Sequence, residues 1–381
     1  MKVLNVVSIL SAREGGGNAE RTSQLSRAVI SAGDSCSIIT LDIGDWKARE
    51  EQLKNTTLIV LPCLSERHQL PFPSWSKIVE QVHRADIIHF MGYWSPLSIL
   101  VSLAAKRYGV PFLISPAGAL PFFGRSKFRK QIFNFMIGRR YVSQASGWIA
   151  ITKSELPDFK EYGVPIEQVA VIPNGIFEDD FFCNEEYQSQ FTKSLPRDCF
   201  ILFMGRLNPI KGPDLLLEAF NLINHKFKGV NLLFVGQDEG MRASLEMRAK
   251  VLGIVNKVFF LDFLDGLKKV ATYRAAVLLV VPSRSEAMSL VAIEAGICGV
   301  PVLITDQCGL HDLSEVNPVL VVSASVEGLA VGLGLALSNP VRLKAWGEKW
   351  QLLVRDRFLW SNLVFKFQNY CREIISRHDG K

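Results

Sequence analysis

The feature that most constrains this chain is a repeating alternation, in which short apolar runs of strand length are separated by amphipathic segments of helix length. Such alternation marks βα units whose strands pair in parallel, since a parallel neighbour needs a crossover long enough to hold a helix. In the first half the runs fall near 2–10, 37–41, 58–61, 87–90, 111–115, 148–152 and 169–172, with Gly33, Gly109 and Gly163 where the intervening helices should stop. Around 177–198 the pattern breaks into polar, acidic and irregular sequence, and a fresh apolar strand opens at Phe200-Ile201-Leu202-Phe203-Met204. Runs near 200–204, 231–235, 258–261, 277–281 and 302–305 then repeat the scheme. The expected fold is α/β with two doubly wound domains, for which 381 residues are enough. Open sheets of this kind bind ligands beyond the carboxyl ends of their strands, so the two are expected to face a shared crevice. The tail at 346–376 reads as helical and aromatic-rich and is expected to pack back on the first domain.

Composition narrows the setting. With 48% hydrophobic and 21% charged residues, and no apolar run near the roughly 18 residues that span a bilayer, this reads as a folded soluble protein. The opening apolar stretch 2–10 is short, carries Asn5 and leads into Arg13-Glu14-Gly15-Gly16-Gly17, so it reads as a buried first strand and not a leader. Seven scattered cysteines with no C-x-x-C pair argue against a disulfide framework or a zinc site and for a reducing, cytoplasmic compartment. Net charge is +6, unevenly spread: residues 87–154 hold nine Lys and Arg and no Asp or Glu, so the first half has a cationic surface.

The most informative stretch runs Pro282-Ser283-Arg284-Ser285-Glu286-Ala287-Met288-Ser289-Leu290-Val291-Ala292-Ile293-Glu294-Ala295-Gly296, then Gly299-Val300-Pro301-Val302. A buried strand ends at Val281, a short loop carries Glu286, and a helix opens near Ser289. Backbone N–H groups at a helix start form an anion site suited to a diphosphate, with Ser289 and Leu290 at its tip. Glu294, about one turn in, can accept hydrogen bonds from two adjacent ribose hydroxyls, and Glu286 points beyond the phosphates. Two glutamates eight apart are in isolation ordinary solvated charges; the strand, Pro-Ser, helix and Gly-x-Pro flanks decide otherwise. Arg206 and Lys211 follow a strand end closely and are expected to converge on the same place. Two fixed cations there can meet the negative charge of a phosphate group, which suits the fork of an arginine. No Asp has another Asp two positions on, the spacing by which metal-dependent transferases hold Mg²⁺ or Mn²⁺. No metal and no cofactor are expected. Gly15–Gly17 is not G-x-G-x-x-G, since Glu20 takes the last place, so a nicotinamide site is poorly supported.

These residues resemble the signature of the family 4 glycosyltransferases. Four further segments resemble its other landmarks in order: Gly15-Gly16-Gly17-Asn18-Ala19-Glu20, Asp86-Ile87-Ile88-His89, Pro173-Asn174-Gly175, and Gly205-Arg206-Leu207 with Lys211-Gly212. The resemblance implies the GT-B fold: a Rossmann-like acceptor-binding domain at 1–178, a linker at 179–198, a Rossmann-like nucleotide-sugar-binding domain at 199–355, and a helix at 356–381 returning to the first domain. It implies transfer of a hexosyl-type sugar from a nucleotide-diphosphate donor with retention of configuration, by front-face attack with no covalent nucleophile. The catalytic candidates are then Glu286, Arg206, Lys211 and His89, the last of which reads equally well as a core histidine. The donor side adds Gly16, Gly17, Ser289, Leu290 and Glu294, and the acceptor side Asn174, Ala117 and Gly118. The implied acceptor is a glycan or lipid-linked hydroxyl, in surface polysaccharide or lipopolysaccharide biosynthesis.

Two positions depart from the family pattern. Met91 stands where a second His is frequent, and Ala117 where relatives often carry a polar residue. They motivate the alternative of a catalytically impaired, nucleotide-sugar-binding regulatory protein. The basic segment 125–140 mixes cations with Phe128, Ile132, Phe135 and Met136 on one helical face. It is expected either as an ordinary solvated helix or as a dock for an anionic membrane surface, which would make the protein peripheral on the inner face of the membrane. Nucleic acid is not an expected partner.

Overall fold

The computed structural model describes residues 1–121 and 134–380. The part of the basic segment at 125–133 therefore lies outside the described residues. Packing divides the chain into two compact units, Met1–Gly175 with Trp360–Lys381, and Ile176–Leu359.

Unit 1 holds β1 (Lys2–Val6), β2 (Ser35–Leu41), β3 (Thr57–Leu61), β4 (Cys63–Ser65), β5 (Leu70–Pro71), β6 (Ile87–Met91), β7 (Phe112–Ser115), β8 (Gly147–Ala150) and β9 (Val169–Val171). Seven of these form one parallel sheet in the order β3-β2-β1-β6-β7-β8-β9, while β4 and β5 pair antiparallel on their own. Its helices include α1 (Ala12–Ser31), α2 (Trp75–Arg84) and α3 (Pro96–Tyr108). The central strands are apolar runs because helices cover both faces of such a sheet; all five residues of β6 are buried. The C-terminal helix (Trp360–Asp379) packs against α1. It is pinned by Gln368 donating to Asp34 (2.7 Å) and by the Tyr370 hydroxyl, which receives the Trp148 N–H (2.9 Å) and donates to the Gln168 carbonyl (3.0 Å).

Unit 2 holds β10 (Cys199–Met204), β11 (Val230–Val235), β12 (Val258–Leu261), β13 (Leu278–Val281), β14 (Val302–Thr305) and β15 (Val321–Val322), in the order β12-β11-β10-β13-β14-β15. Every pairing among them is parallel. Its helices include α4 (Glu185–Thr192), α5 (Pro213–Ile223), α6 (Arg242–Val251), α7 (Gly266–Ala275), α8 (Leu290–Ile297), α9 (Val326–Leu337) and α10 (Pro340–Arg357). Successive crossovers run one way from β10 to β11 and β12, and the other way from β10 to β13. The topological switch point, where such sheets bind ligands, therefore lies at the carboxyl ends of β10 and β13.

Two local expectations need correction. The helix expected near Asn18 is preceded by a short helical stretch from Ala12, so the glycine run is not a plain loop: Gly16, at φ 56°, ψ −143°, kinks the path between the two. The irregular stretch at 177–198 contains α4, which Asn184 caps by accepting the Tyr187 N–H at 2.8 Å, with Glu185 and Glu186 favourably placed against the helix dipole.

Candidate active site

At the switch point of unit 2 two loops meet. The one after β10 carries Arg206 and Lys211; the one after β13 carries Glu286. They are laced by the Arg284 N–H to the Ile210 carbonyl (2.7 Å) and by the Arg284 guanidinium gripping the Asp214 carboxylate with two bonds of 2.8 and 2.6 Å. Gly212 sits at φ 67°, where a Cβ would collide with the Pro282 carbonyl, so glycine here permits the close approach of the loops. Across the junction the Lys211 ammonium donates to Glu286 Oε1 at 2.8 Å, and Ser283 Oγ donates to Glu286 Oε2 at 2.9 Å. The Glu286 N–H is tied to the Gln307 carbonyl at 2.9 Å, which fixes the loop that carries it. Three residues on, Ser289 occupies the N-cap position of α8, fully buried, and its hydroxyl has no hydrogen-bond partner among the described residues. The first N–H groups of α8, from Leu290 on, lie at the amino end of the helix dipole, four residues beyond Glu286 in the chain.

Arg206 emerges from the same loop but turns to the other flank. Its guanidinium donates to Glu239 Oε1 at 2.8 Å, and Asn208 donates to Glu239 Oε2 at 2.7 Å. Lys211 and Glu286 are thus brought together, while Arg206 is held on the β11 side of the switch point. Glu294 is buried, and both oxygens are engaged: Oε1 by the Lys269 ammonium at 2.9 Å and Oε2 by the Tyr273 hydroxyl at 2.7 Å. The sequence reading missed Glu239, Lys269 and Tyr273. The available signals were an acidic turn directly after a strand and a Lys and Tyr four apart on one helical face. Among the described residues no group of three or more His, Cys, Asp or Glu side chains is placed to hold a metal ion.

In unit 1 the expected residues separate. His89, expected to act on the acceptor, lies in the core: fully buried, with Nδ1 3.2 Å from Asn5 Oδ1 and the ring against Phe367. Burial, helped by the Arg21 charge, lowers its pKa to about 3, so the ring is neutral at ordinary pH. Asn174 is buried too, and its side-chain oxygen receives an N–H of Arg21 at 2.8 Å. Gly16 and Gly17 lie at the break in α1. Ala117 and Gly118 form the turn after β7, both left-handed (φ 50° and 79°) and half-buried.

Behind that turn stands Glu155, which the sequence reading did not single out. Burial pushes its carboxyl up to about 7, against the opposing pull of the Gly118 N–H, the Arg21 charge and the Ile151 N–H. An acid whose pKa rises on folding stabilises the fold below its unfolded value of 4.5, and that contribution is lost as pH climbs through about 7. The Glu155→Gln variant is therefore expected to be more stable than the parent at pH 8, by at most about 3 kcal/mol. The advantage should vanish near pH 5, as chemical denaturation at the two pH values would measure.

With the geometry in hand, the chain can be set beside known proteins. Residues 15–179 match the family described as Glycosyltransferase Family 4, and residues 185–351 the one described as Glycosyl transferases group 1. D-inositol 3-phosphate glycosyltransferase 2 of Catenulispora acidiphila is 31% identical over 297 residues, covering 72% of this chain and 68% of that protein. The chain belongs to glycosyltransferase family 4. The D-inositol 3-phosphate glycosyltransferase of Segniliparus rotundus is 32% identical over 214 residues, 54% of this chain and 48% of its own length. The match to that relative thus spans about half of it. The crystal structure of Anabaena Alr3699/HepE in complex with UDP and glucose superposes with a TM-score of 0.82 at 19% identity, covering 98% of this chain and 100% of that chain. The fold is GT-B, with one Rossmann-like sheet in each unit. Among its described residues, no helix is long and apolar enough to cross a membrane.

Proposed function

We propose that this transferase moves a hexosyl-type sugar from a nucleotide-diphosphate donor, held on unit 2, to a hydroxyl of a glycan or lipid-linked acceptor, with retention of configuration and without a metal. The observation that carries the proposal is the Lys211–Glu286 contact at the β10/β13 switch point, directly ahead of the α8 tip. As the bond from sugar to diphosphate breaks, charge builds on the leaving phosphate, and Lys211 with the N–H groups of α8 is the fixed positive charge that meets it. Lys211 exchanges Glu286 for phosphate on donor binding, which frees a Glu286 oxygen for sugar hydroxyls. The acceptor attacks from the face the diphosphate leaves, and that phosphate takes its proton. Arg206 joins the clamp by leaving Glu239, an exchange that is cheap because exposed ion pairs contribute little. A UDP- and glucose-bound relative in fold supports a nucleotide donor, and two relatives named for D-inositol 3-phosphate support a hydroxyl acceptor. Surface polysaccharide or lipopolysaccharide assembly, at a cytoplasmic site peripheral to the membrane, completes the reading.

The test is a panel of UDP-, GDP- and ADP-sugars, with inositol 3-phosphate and lipid-linked glycans as acceptors, assayed with and without EDTA. Transfer that survives EDTA, with the anomeric configuration kept by NMR, is the expected result. Loss of turnover in EDTA or an inverted product would refute those parts of the proposal. Tight nucleotide binding without transfer to any acceptor would favour a regulatory binding protein.

A further inference from the structure

We propose that Tyr273 and Lys269 are positioning residues that hold Glu294 as an oriented acceptor for the two adjacent hydroxyls of a ribose, and so make this site read ribonucleotides over deoxyribonucleotides. The inference rests on the donor-site reading above and extends it to two residues on a different helix.

Both residues lie on α7, one turn apart, and both reach Glu294 of α8, Tyr273 to Oε2 and Lys269 to Oε1. The two differ in where they stand. Tyr273 is fully buried, and burial together with the Glu294 charge keeps its hydroxyl protonated and therefore a donor. The Lys269 ammonium approaches from the wetter side, with 23% of its side chain exposed against 6% for Glu294. An ionised carboxylate offers about four lone-pair sites. One donor on each oxygen fixes the plane of the group and leaves a second acceptor site on each, spaced as a vicinal diol requires. Neither α7 residue need touch the nucleotide to act. Tyr273 removes the rotational freedom of Glu294, and Lys269 supplies the counter-charge that lets a carboxylate sit in so buried a place. Without them Glu294 would swing, and its free acceptor sites would no longer be held where both hydroxyls lie.

The measurement is calorimetric affinity for UDP and GDP, each beside its 2′-deoxy counterpart, in the parent, Glu294→Gln, Tyr273→Phe, Lys269→Met and Lys269→Arg. The parent should prefer the tighter-binding ribonucleotide over its deoxy form by roughly tenfold or more, the usual scale for a site whose polar group is left unpaired. Tyr273→Phe and Lys269→Met should each cut that preference to about threefold or less and leave deoxynucleotide affinity nearly unchanged; Tyr273→Phe should melt close to the parent, and Lys269→Met below it, since it strands the buried Glu294 charge. Lys269→Arg, which keeps charge and donors, should retain most of the preference. A generally loosened site would lower both affinities together, and this result would overturn the proposal. Loss of the preference in Glu294→Gln with full preference in both α7 variants would overturn it as well, while sparing the donor-site reading. Full preference in Glu294→Gln would sink that reading itself. Should Tyr273→Phe not fold, the Lys269 pair decides alone.

Discussion

Replacing Lys211 with alanine is expected to lower the turnover number for sugar transfer by about 10²–10³-fold, the range seen when one preorganised group facing developing transition-state charge is removed. Lys211 is a strong candidate for so large an effect because three constraints fix it. Its backbone N–H is tied to Asn208 at 3.0 Å, the following Gly212 turns the chain into α5, and its ammonium is aimed by Glu286. A cation already in place costs little reorganisation as the leaving phosphate charges up. The donor's KM should change less than the turnover number, since the charge that Lys211 meets is largest in the transition state. Melting temperature should move little, because the Lys211–Glu286 pair is part-exposed and such pairs contribute modestly to stability. Steady-state kinetics over a donor series at saturating acceptor, beside a melting curve, checks both halves. A variant keeping more than about a fifth of parental turnover would mean that the diphosphate is stabilised elsewhere.

The second large effect concerns stability. Arg21 lies on α1, is 2% exposed, and spends its guanidinium on the closing turn of unit 1: the Ile172 carbonyl at 2.9 Å, the Pro173 carbonyl at 2.9 Å and Asn174 Oδ1 at 2.8 Å. Its carbon lies 5.8 Å from the Trp360 ring centre at the start of the C-terminal helix. Burial lowers its pKa to about 10, against an opposing pull from Glu155, so it stays charged at any ordinary pH. Arg21→Met keeps the bulk but removes every donor and strands the buried carbonyls. The expected loss is about 3–5 kcal/mol for unit 1, which calorimetry should register as a fall of roughly 10 °C in the transition of that unit. Arg21→Lys should recover only part of it, since one ammonium has no fork to span three acceptors. Stability unchanged in Arg21→Met would show that the turn and the C-terminal helix hold without it.

The pattern of parallel units was legible because a parallel strand covered on both faces leaves an apolar run that few other structures produce. Runs such as 87–90 and 200–204 therefore matched β6 and β10 to within a residue or two. What failed was short or polar. The pair β4 and β5 is too brief to give a periodic signal, and the acidic start of α4 hid a helix whose Asn184 cap was there to be read. At the candidate site, Glu286 and the α8 start, and separately Lys211 after β10, could be placed because each follows its own strand end closely in sequence. The partners were not, since Glu239 meets Arg206 from 33 residues away and Lys269 meets Glu294 from 25. Pairings of that kind depend on strand order, which a single sequence does not display. His89 stayed open between core and site for a related reason. A histidine in a strand looks the same whether it faces a ligand or, as here, Asn5 and Phe367 in the core. Gly296 shows the converse, a glycine whose reason is remote: a Cβ there would collide with Trp350 of α10, whose indole N–H bonds the Ala292 carbonyl at 2.9 Å.

The most direct test of the central claim, that Lys211 and the start of α8 receive the donor's diphosphate, is calorimetric titration of UDP and GDP into the parent and into Lys211→Met, with EDTA or with added Mg²⁺. The account predicts a single nucleotide per chain, affinity about tenfold or more weaker in Lys211→Met, and the same values in EDTA as in Mg²⁺. Equal affinity in the two proteins, or binding that appears only when Mg²⁺ is added, would contradict it.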